Sequence, residues 1–229
     1  MTRVTFLLIV LSLAVPAQVR EEIPDYIILT VTTLQPGAFQ DYAALQRELV
    51  PTRKKINAWY GQYNQLFGAQ AQVSIAPTSL ADYDQTPSRF AAAMGEAGMS
   101  RFQSRVGNSV AGNQRYLLRT NKELRISDAA RQELPILVLS RVRVTAGRDA
   151  EFQDYIKTTV IPAFRKAGVR RYSIARVYAG AGVNDYFSFR AHAKVADTDV
   201  PPAAPKPGLS TFIDRTILRL NRDTSFAGR

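Results

Sequence analysis

Cysteine is absent from the 229 residues, and histidine and tryptophan occur once each, as His192 and Trp59. Without cysteine there is no disulfide framework, no thiolate metal site and no lipid-anchored lipoprotein. A single histidine excludes an all-histidine zinc site within one chain. The chain also lacks a phosphate-cradling glycine loop, a nucleophile elbow and a carboxylate pair beside a histidine at ligand spacing. Gly180-Ala181-Gly182 reads as a turn, not a dinucleotide motif, because no helix is predicted after it. Neither a metal nor a cofactor is expected. Acidic charge is scarce: 30 Lys and Arg stand against 19 Asp and Glu, a net charge of +11. The excess is spread along the chain rather than gathered in a stripe, so small organic anions are the expected partners and nucleic acid is not.

Long apolar runs are also missing. The exception, Val4 to Val15, falls short of the roughly 20 residues that span a bilayer. It follows Arg3 and ends at Val15-Pro16-Ala17, with Gln18, Arg20, Glu21 and Glu22 directly behind. That is the pattern of a secretory signal cleaved near Ala17. A periplasmic or secreted protein is therefore expected, with residues 1–17 removed and no stable membrane insertion afterwards.

What is present is a repetition. Phe39-Gln40-Asp41-Tyr42 recurs as Phe152-Gln153-Asp154-Tyr155. An apolar run ending in glycine precedes each copy, and a proline (Pro51, Pro162) and a basic cluster (Arg53-Lys54-Lys55, Arg165-Lys166) follow. Tyr26 to Leu34 and Ile136 to Val144, rich in β-branched residues, predict strands. Helices are predicted from Phe39 and from about Asp149, the second burying Phe152, Tyr155, Ile156, Thr159 and Ala163. Trp59 to Phe67 and Arg171 to Tyr178 predict second strands; Ala69 to Ile75 and Asp185 to Val195 predict third strands. Thr78 to Ser88 reads as polar connection, followed by helix through Arg89 to Met94 and Met99 to Val106. A matching last helix is expected from Leu209-Ser210-Thr211-Phe212. Ile217-Leu218-Arg219-Leu220-Asn221 echoes Leu117-Leu118-Arg119-Thr120-Asn121. Each half thus reads β-α-β-β-α, an abbreviated ferredoxin-like unit, over residues 18–130 and 131–229. The expected fold class is α+β: two tandem repeats packed sheet to sheet in one chain as a pseudo-dimer, the monomer sufficing.

Val144-Thr145-Ala146-Gly147-Arg148-Asp149-Ala150-Glu151-Phe152, then Val160-Ile161-Pro162 and Ala167-Gly168-Val169, resembles the strand-turn-helix opening of the dimeric α/β-barrel superfamily, which includes antibiotic-biosynthesis-monooxygenase-like and NIPSNAP-like domains. The resemblance covers both halves. It implies the fold, and a function drawn from heme enzymes, cofactor-free oxygenases, isomerases and proteins of no known activity. Two departures stand out. Oxygenases of the superfamily carry an asparagine near the end of the first strand, and neither first strand here has one. Its heme-degrading members ligate heme from a helix, whereas His192 is predicted on a strand.

Strand alternation sorts the second half into two faces. Phe187, Phe189, Ala191, Ala193 and Val195 are expected under the helices. Tyr186, Ser188, Arg190, His192 and Lys194 are expected to look into the space between the sheets, or to solvent. Arg141 and Arg143 share one face of their strand, and Tyr172, Arg176 and Tyr178 share one face of theirs. If those faces meet, Arg141, Arg143, Tyr172, Arg176, Tyr178, Arg190 and His192 line an inter-sheet site for an organic anion or an aromatic compound. His192 is the candidate catalytic residue, as base, acid or ligand. Three functions follow from this: small-molecule binding, a cofactor-independent monooxygenase or isomerase, and a structural envelope protein with a filled barrel. Whether the chain is an enzyme is left open.

Overall fold

The strand runs of both halves pair side by side into a single closed barrel. The computed structural model describes residues 24–68, 70–129, 134–180, 182–200 and 206–226; the expected signal segment lies outside them, as do most of the Pro-rich 200–208 connection and part of the 127–135 join. The strands are β1 (Tyr26–Leu34), β2 (Gly61–Gln65), β3 (Ala71–Thr78), β4 (Val110–Ser127), β5 (Ile136–Val144), β6 (Arg171–Ala179), β7 (Asp185–His192) and β8 (Ser210–Leu220). Their order around the barrel is β1-β3-β2-β8-β5-β7-β6-β4, closing on β1, and every pairing is antiparallel. Read from β4, the order is 4-1-3-2 and then 8-5-7-6, so each strand of the second set occupies the place of the strand four earlier. The echo of Leu117–Asn121 in Ile217–Asn221 follows this geometry. Leu118 lies opposite Ile27 on β1, and Leu218 lies opposite Leu137 on β5.

Helices cover the outer faces. In the first half these are α1 (Phe39–Glu48), α2 (Val50–Lys55) and α3 (Leu80–Ser109). Pro51, without an N–H, sits where the helix breaks between α1 and α2. α3 bends at Gly95, whose φ of +69° a side chain would strain. It also starts earlier than expected, within the stretch read as connection. The Ser79 hydroxyl accepts from the Asp82 N–H at 3.0 Å, a cap that overrides the polar composition and Pro87. That first turn has no apolar stripe because it is mostly solvent-exposed, so periodicity could not reveal it.

In the second half α4 (Asp149–Tyr155) passes through a π-helical turn, Ile156–Val160, into α5 (Ile161–Lys166). The Ile161 N–H reaches back to the Ile156 carbonyl, one residue further than in an α-helix. The extra residue rotates the buried stripe. Phe152 and Ile156 are buried as expected, but Val160, Ile161 and Phe164 replace Thr159 and Ala163, which are exposed. The expected last helix is also corrected. Residues 210–220 form β8, which pairs with β5 from Ile136 to Val144 and closes the barrel against β2. Non-local pairing outweighs the local likeness to Met99–Phe102.

The largest correction concerns the strand faces. The barrel interior is apolar and filled. Leu29, Val73, Leu118, Leu139, Phe187 and Leu218 meet there among other buried side chains, with Trp59 packed at the margin. The alternating set Tyr186, Ser188, Arg190 and His192 therefore points outward, toward the helix layer. A closed barrel buries its inner face from all sides, so the more apolar set goes there. A second core lies between the outer face of the second-half sheet and α4–α5, built on Phe152, Ile156, Val160, Phe164, Tyr172 and Ile174. Among the described residues no helix is long and apolar enough to cross a membrane.

Candidate functional site

The second core is incompletely filled. A cavity of about 370 Å³ lies between α4–α5 and the outer face of β5 to β8. Its walls are largely apolar: Val138, Val142, Phe152, Ile156, Val160 and Phe164 contribute, and the π-helical turn supplies part of the ceiling. π-helical turns often mark functional sites, because the extra residue re-aims side chains.

Two ranks of side chains cross the floor, set by strand register. In one rank Ile174 lies opposite Ser188, Ser188 opposite Ser140, and Ser140 opposite Arg215. In the next rank Tyr172 lies opposite Arg190, Arg190 opposite Val138, and Val138 opposite Ile217. Ser140 and Ser188 line the cavity, and neither hydroxyl makes a hydrogen bond among the described residues. Arg190 and Arg215 stand at one end. Arg190 donates to the Val200 carbonyl at 2.8 Å and to the Thr198 carbonyl at 3.4 Å, and Arg215 donates to the same Thr198 carbonyl at 2.6 Å. The Arg190 guanidinium also lies 5.1 Å from the centre of the Phe164 ring. Burial, reinforced by the charge on Arg215, pulls the Arg190 pKa down to about 10. Tyr172 packs edge-on to Phe164, and burial pushes its hydroxyl well above the usual phenol range.

Of the residues expected to form one inter-sheet site, Tyr172 and Arg190 line this cavity. The others are dispersed. Arg141 and Arg143 converge on the fully buried Asp185, with Arg141 Nε at 2.7 Å from Oδ2 and Arg143 Nε at 2.8 Å from Oδ1. Burial works against the Asp185 carboxylate, but hydrogen bonds and charge from Arg143 and Arg141 outweigh it and hold its pKa below the usual value. Gly182 is needed beside them, because a Cβ there would collide with that carboxylate. Arg176 pairs with Asp149 at 3.0 Å. Tyr178 is half exposed and packs edge-on against Tyr26 at 5.3 Å.

His192 is buried at the end of β7, and its Nε2 has no hydrogen-bond partner among the described residues. Burial, the charge of Arg190 and, more weakly, that of Arg215 bring its pKa down to about 4 against the pull of Asp197. It is not among the cavity-lining residues, and such a weak base is poorly suited to take a proton near neutral pH. Among the described residues no three carboxylate or imidazole groups gather where a metal ion could sit.

Sequence reading missed Ser140, Ser188 and Arg215 as site residues. Ser140 and Ser188 are small polar positions on otherwise apolar strands, a signal that was available. Arg215 was not legible, because its strand read as helix.

The matching place in the first half is built differently. Thr30, Ser74 and Arg115 occupy the register positions of Ser140, Ser188 and Arg215, but Ala76 stands where Arg190 would. Beneath α1 and α2 the space is filled by polar side chains. Gln62 donates to Gln72, Gln72 to Asn64 at 3.0 Å, and the buried Arg53 to Gln46 and to the Thr224 carbonyl at 3.4 Å. The asymmetry places the candidate site in the second half.

No protein-family model and no curated protein matches the chain. Solved structures do match in fold. A candidate monooxygenase from Fusobacterium nucleatum superposes with a TM-score of 0.61 at 10% identity, over 85% of this chain and 91% of that one. An anthrone oxidase-like protein gives 0.61 at 10% identity, over 86% and 91%. A candidate monooxygenase from Lactobacillus acidophilus gives 0.57 at 11% identity, over 86% and 93%. The chain is thus similar in fold to monooxygenase-like dimeric α/β barrels, an α+β architecture with an eight-stranded antiparallel sheet.

Proposed function

We propose that this chain binds a small organic molecule, aromatic or anionic, in the cavity between the second-half sheet and α4–α5. The observation that carries the reading is the cavity itself: about 370 Å³, walled by apolar side chains, with unengaged hydroxyls on its floor. That is the composition of small-molecule sites, where apolar walls supply affinity and a few polar groups fix orientation. The filled barrel interior takes the place of the expected inter-sheet site, so a structural role for the barrel and a binding role for its outer layer coexist. The 4-1-3-2 and 8-5-7-6 strand orders and the repeated Phe-Gln-Asp-Tyr support an origin by tandem duplication of a ferredoxin-like half, spanning 18–130 and 131–229. The signal-like start supports export to a periplasmic or secreted location as a monomeric pseudo-dimer. The test is calorimetry with anthrone and with naphthalene derivatives. Filling the cavity by Ser188→Phe should abolish binding while the barrel stays folded. Equal binding to this variant would place the ligand elsewhere.

The likeness to monooxygenase folds favours a second reading, cofactor-independent oxidation in the same cavity. A substrate such as anthrone, whose methylene is conjugated to a carbonyl through the flanking aromatic rings, would lose a proton to water to give an enolate. The enolate would reduce dioxygen, form a C–O bond, and release water as the methylene becomes a ketone. Among the described residues no carboxylate or imidazole lines the cavity, so the contribution argued for this chain is electrostatic. Ser140, Ser188 and Arg190 would stabilise the enolate oxygen more than the neutral ketone. Consumption of dioxygen by purified protein and anthrone, above the rate without protein, separates this reading from binding alone.

A further inference from the structure

We infer that Arg190 and Arg215 form an anion subsite at the end of the cavity, and that the ligand is an amphipathic organic acid carrying one negative charge. The inference rests on the reading of the cavity as a binding site and adds which class of molecule it selects. Both guanidiniums reach the same Thr198 carbonyl, so two cations are held side by side by neutral backbone acceptors. Neither makes an ion pair among the described residues. Arg190 is nevertheless only 4% exposed. A buried charge without a counter-charge is unfavourable, and the charge of the neighbouring, exposed Arg215 makes it more so. The barrel does not need that cation, since Ala76 serves at the equivalent register position of the first half. The arrangement is one that an incoming carboxylate relieves, because guanidinium forks match its two oxygens.

The surroundings limit the anion to one charge. Inward of the arginines the walls are largely apolar: Val138 and Tyr172 flank Arg190 in register, Phe164 lies against its guanidinium, and Ser140 is the register neighbour of Arg215. Outward, Arg215 also borders a surface groove of about 400 Å³ shared with Phe67 and Asp199. A second carboxylate pointing inward would meet only the neutral Ser140 and Ser188 hydroxyls and no further cation among the described residues, and one pointing outward would meet Asp199. The acid head therefore sits at the join of cavity and groove, with the apolar body inside.

The test is isothermal titration of the whole protein at low ionic strength with three probes: 2-naphthoate, its neutral isostere 2-naphthamide, and naphthalene-2,6-dicarboxylate. The naphthoate should bind at least about tenfold more tightly than the amide, the preference expected of a charge-assisted contact. The dicarboxylate should bind more weakly than the naphthoate. Arg215→Gln, at the more accessible arginine, should remove the preference for acid over amide by weakening binding of the acid. Equal binding of acid and amide by the unaltered protein, or an unchanged preference in folded Arg215→Gln, overturns the anion subsite while leaving the cavity as a site. Failure of all three probes to bind overturns the cavity reading and this inference with it.

Discussion

His192 should make the protein sensitive to mild acid, and the structure supplies the magnitude. His192 is 6% exposed, its Nε2 has no partner among the described residues, and Arg190 and Arg215 add positive charge nearby while Asp197 offsets part of it. Its pKa therefore falls from 6.5 to about 4 on folding. The folded pKa is depressed, so between these values the unfolded chain holds the proton and the native state does not. Stability then rises with pH through this window and is lost as pH falls from about 6.5 to 4. Each tenfold preference for the neutral ring corresponds to about 1.4 kcal/mol, so the loss by pH 4 should approach about 3 kcal/mol. Urea denaturation at pH 7, 5.5 and 4 measures it. His192→Gln should cost about 1 kcal/mol or less at pH 7 and should flatten the decline across the same window. Asp214, whose pKa burial raises, acts in the opposite sense just above the ordinary carboxylate range. Its contribution is common to both proteins and cancels in their difference. An equal slope in the variant would show that the imidazole is not the source and that its burial is not what the geometry implies.

Other outcomes follow from named contacts. Asp185→Asn should destabilise by about 3 kcal/mol, because two guanidiniums lose their buried counter-charge; in the parent protein this stabilisation should fade only as pH drops through the depressed pKa of Asp185, below its usual 3.8, and a melt at pH 7 checks the first claim. Truncation after Leu220 should loosen the β2–β8 seam. That seam rests on Tyr63, Asn64 and Gln65 paired with Leu220, Arg219 and Leu218, and the tail extends it through mutual Tyr60–Phe226 hydrogen bonds at 2.7 Å and the Asn221 N–H to the Gln62 carbonyl at 2.8 Å. Amide exchange at Tyr63 to Gln65 should rise markedly, and unchanged protection would contradict the role assigned to the tail. Residues 18–130 expressed alone should self-associate, because the faces of Leu29, Val73 and Leu118 and the edges of β2 and β4 lose their partners. Sedimentation of that fragment as a stable folded monomer would refute this.

The sequence by itself determined the elements with strong local signals. β-branched runs specified β1 and β5, Pro51 marked where the first-half helix layer breaks, and the repeated tetrapeptide and the Leu117/Ile217 echo fall at like places in the two strand sets 4-1-3-2 and 8-5-7-6. Local periodicity also sorted Phe187, Phe189 and Ala191 from Tyr186, Ser188 and Arg190 correctly. It could not say which set faced inward, because alternation defines two faces without naming either. Closure of the barrel decided that, and it reversed the expected location of the site. Tertiary structure likewise made a strand of residues 210–220, since the pairing with β5 and β2 lies far away in sequence. The π-helical turn moved the buried stripe from Thr159 and Ala163 to Val160 and Phe164, one residue out of phase with an ideal helix. Arg141, Arg143 and Arg176 looked from sequence like equals of Arg190. Only the fold supplied Asp185 and Asp149 to the first three and left Arg190 beside Arg215 with, among the described residues, backbone carbonyls as the acceptors.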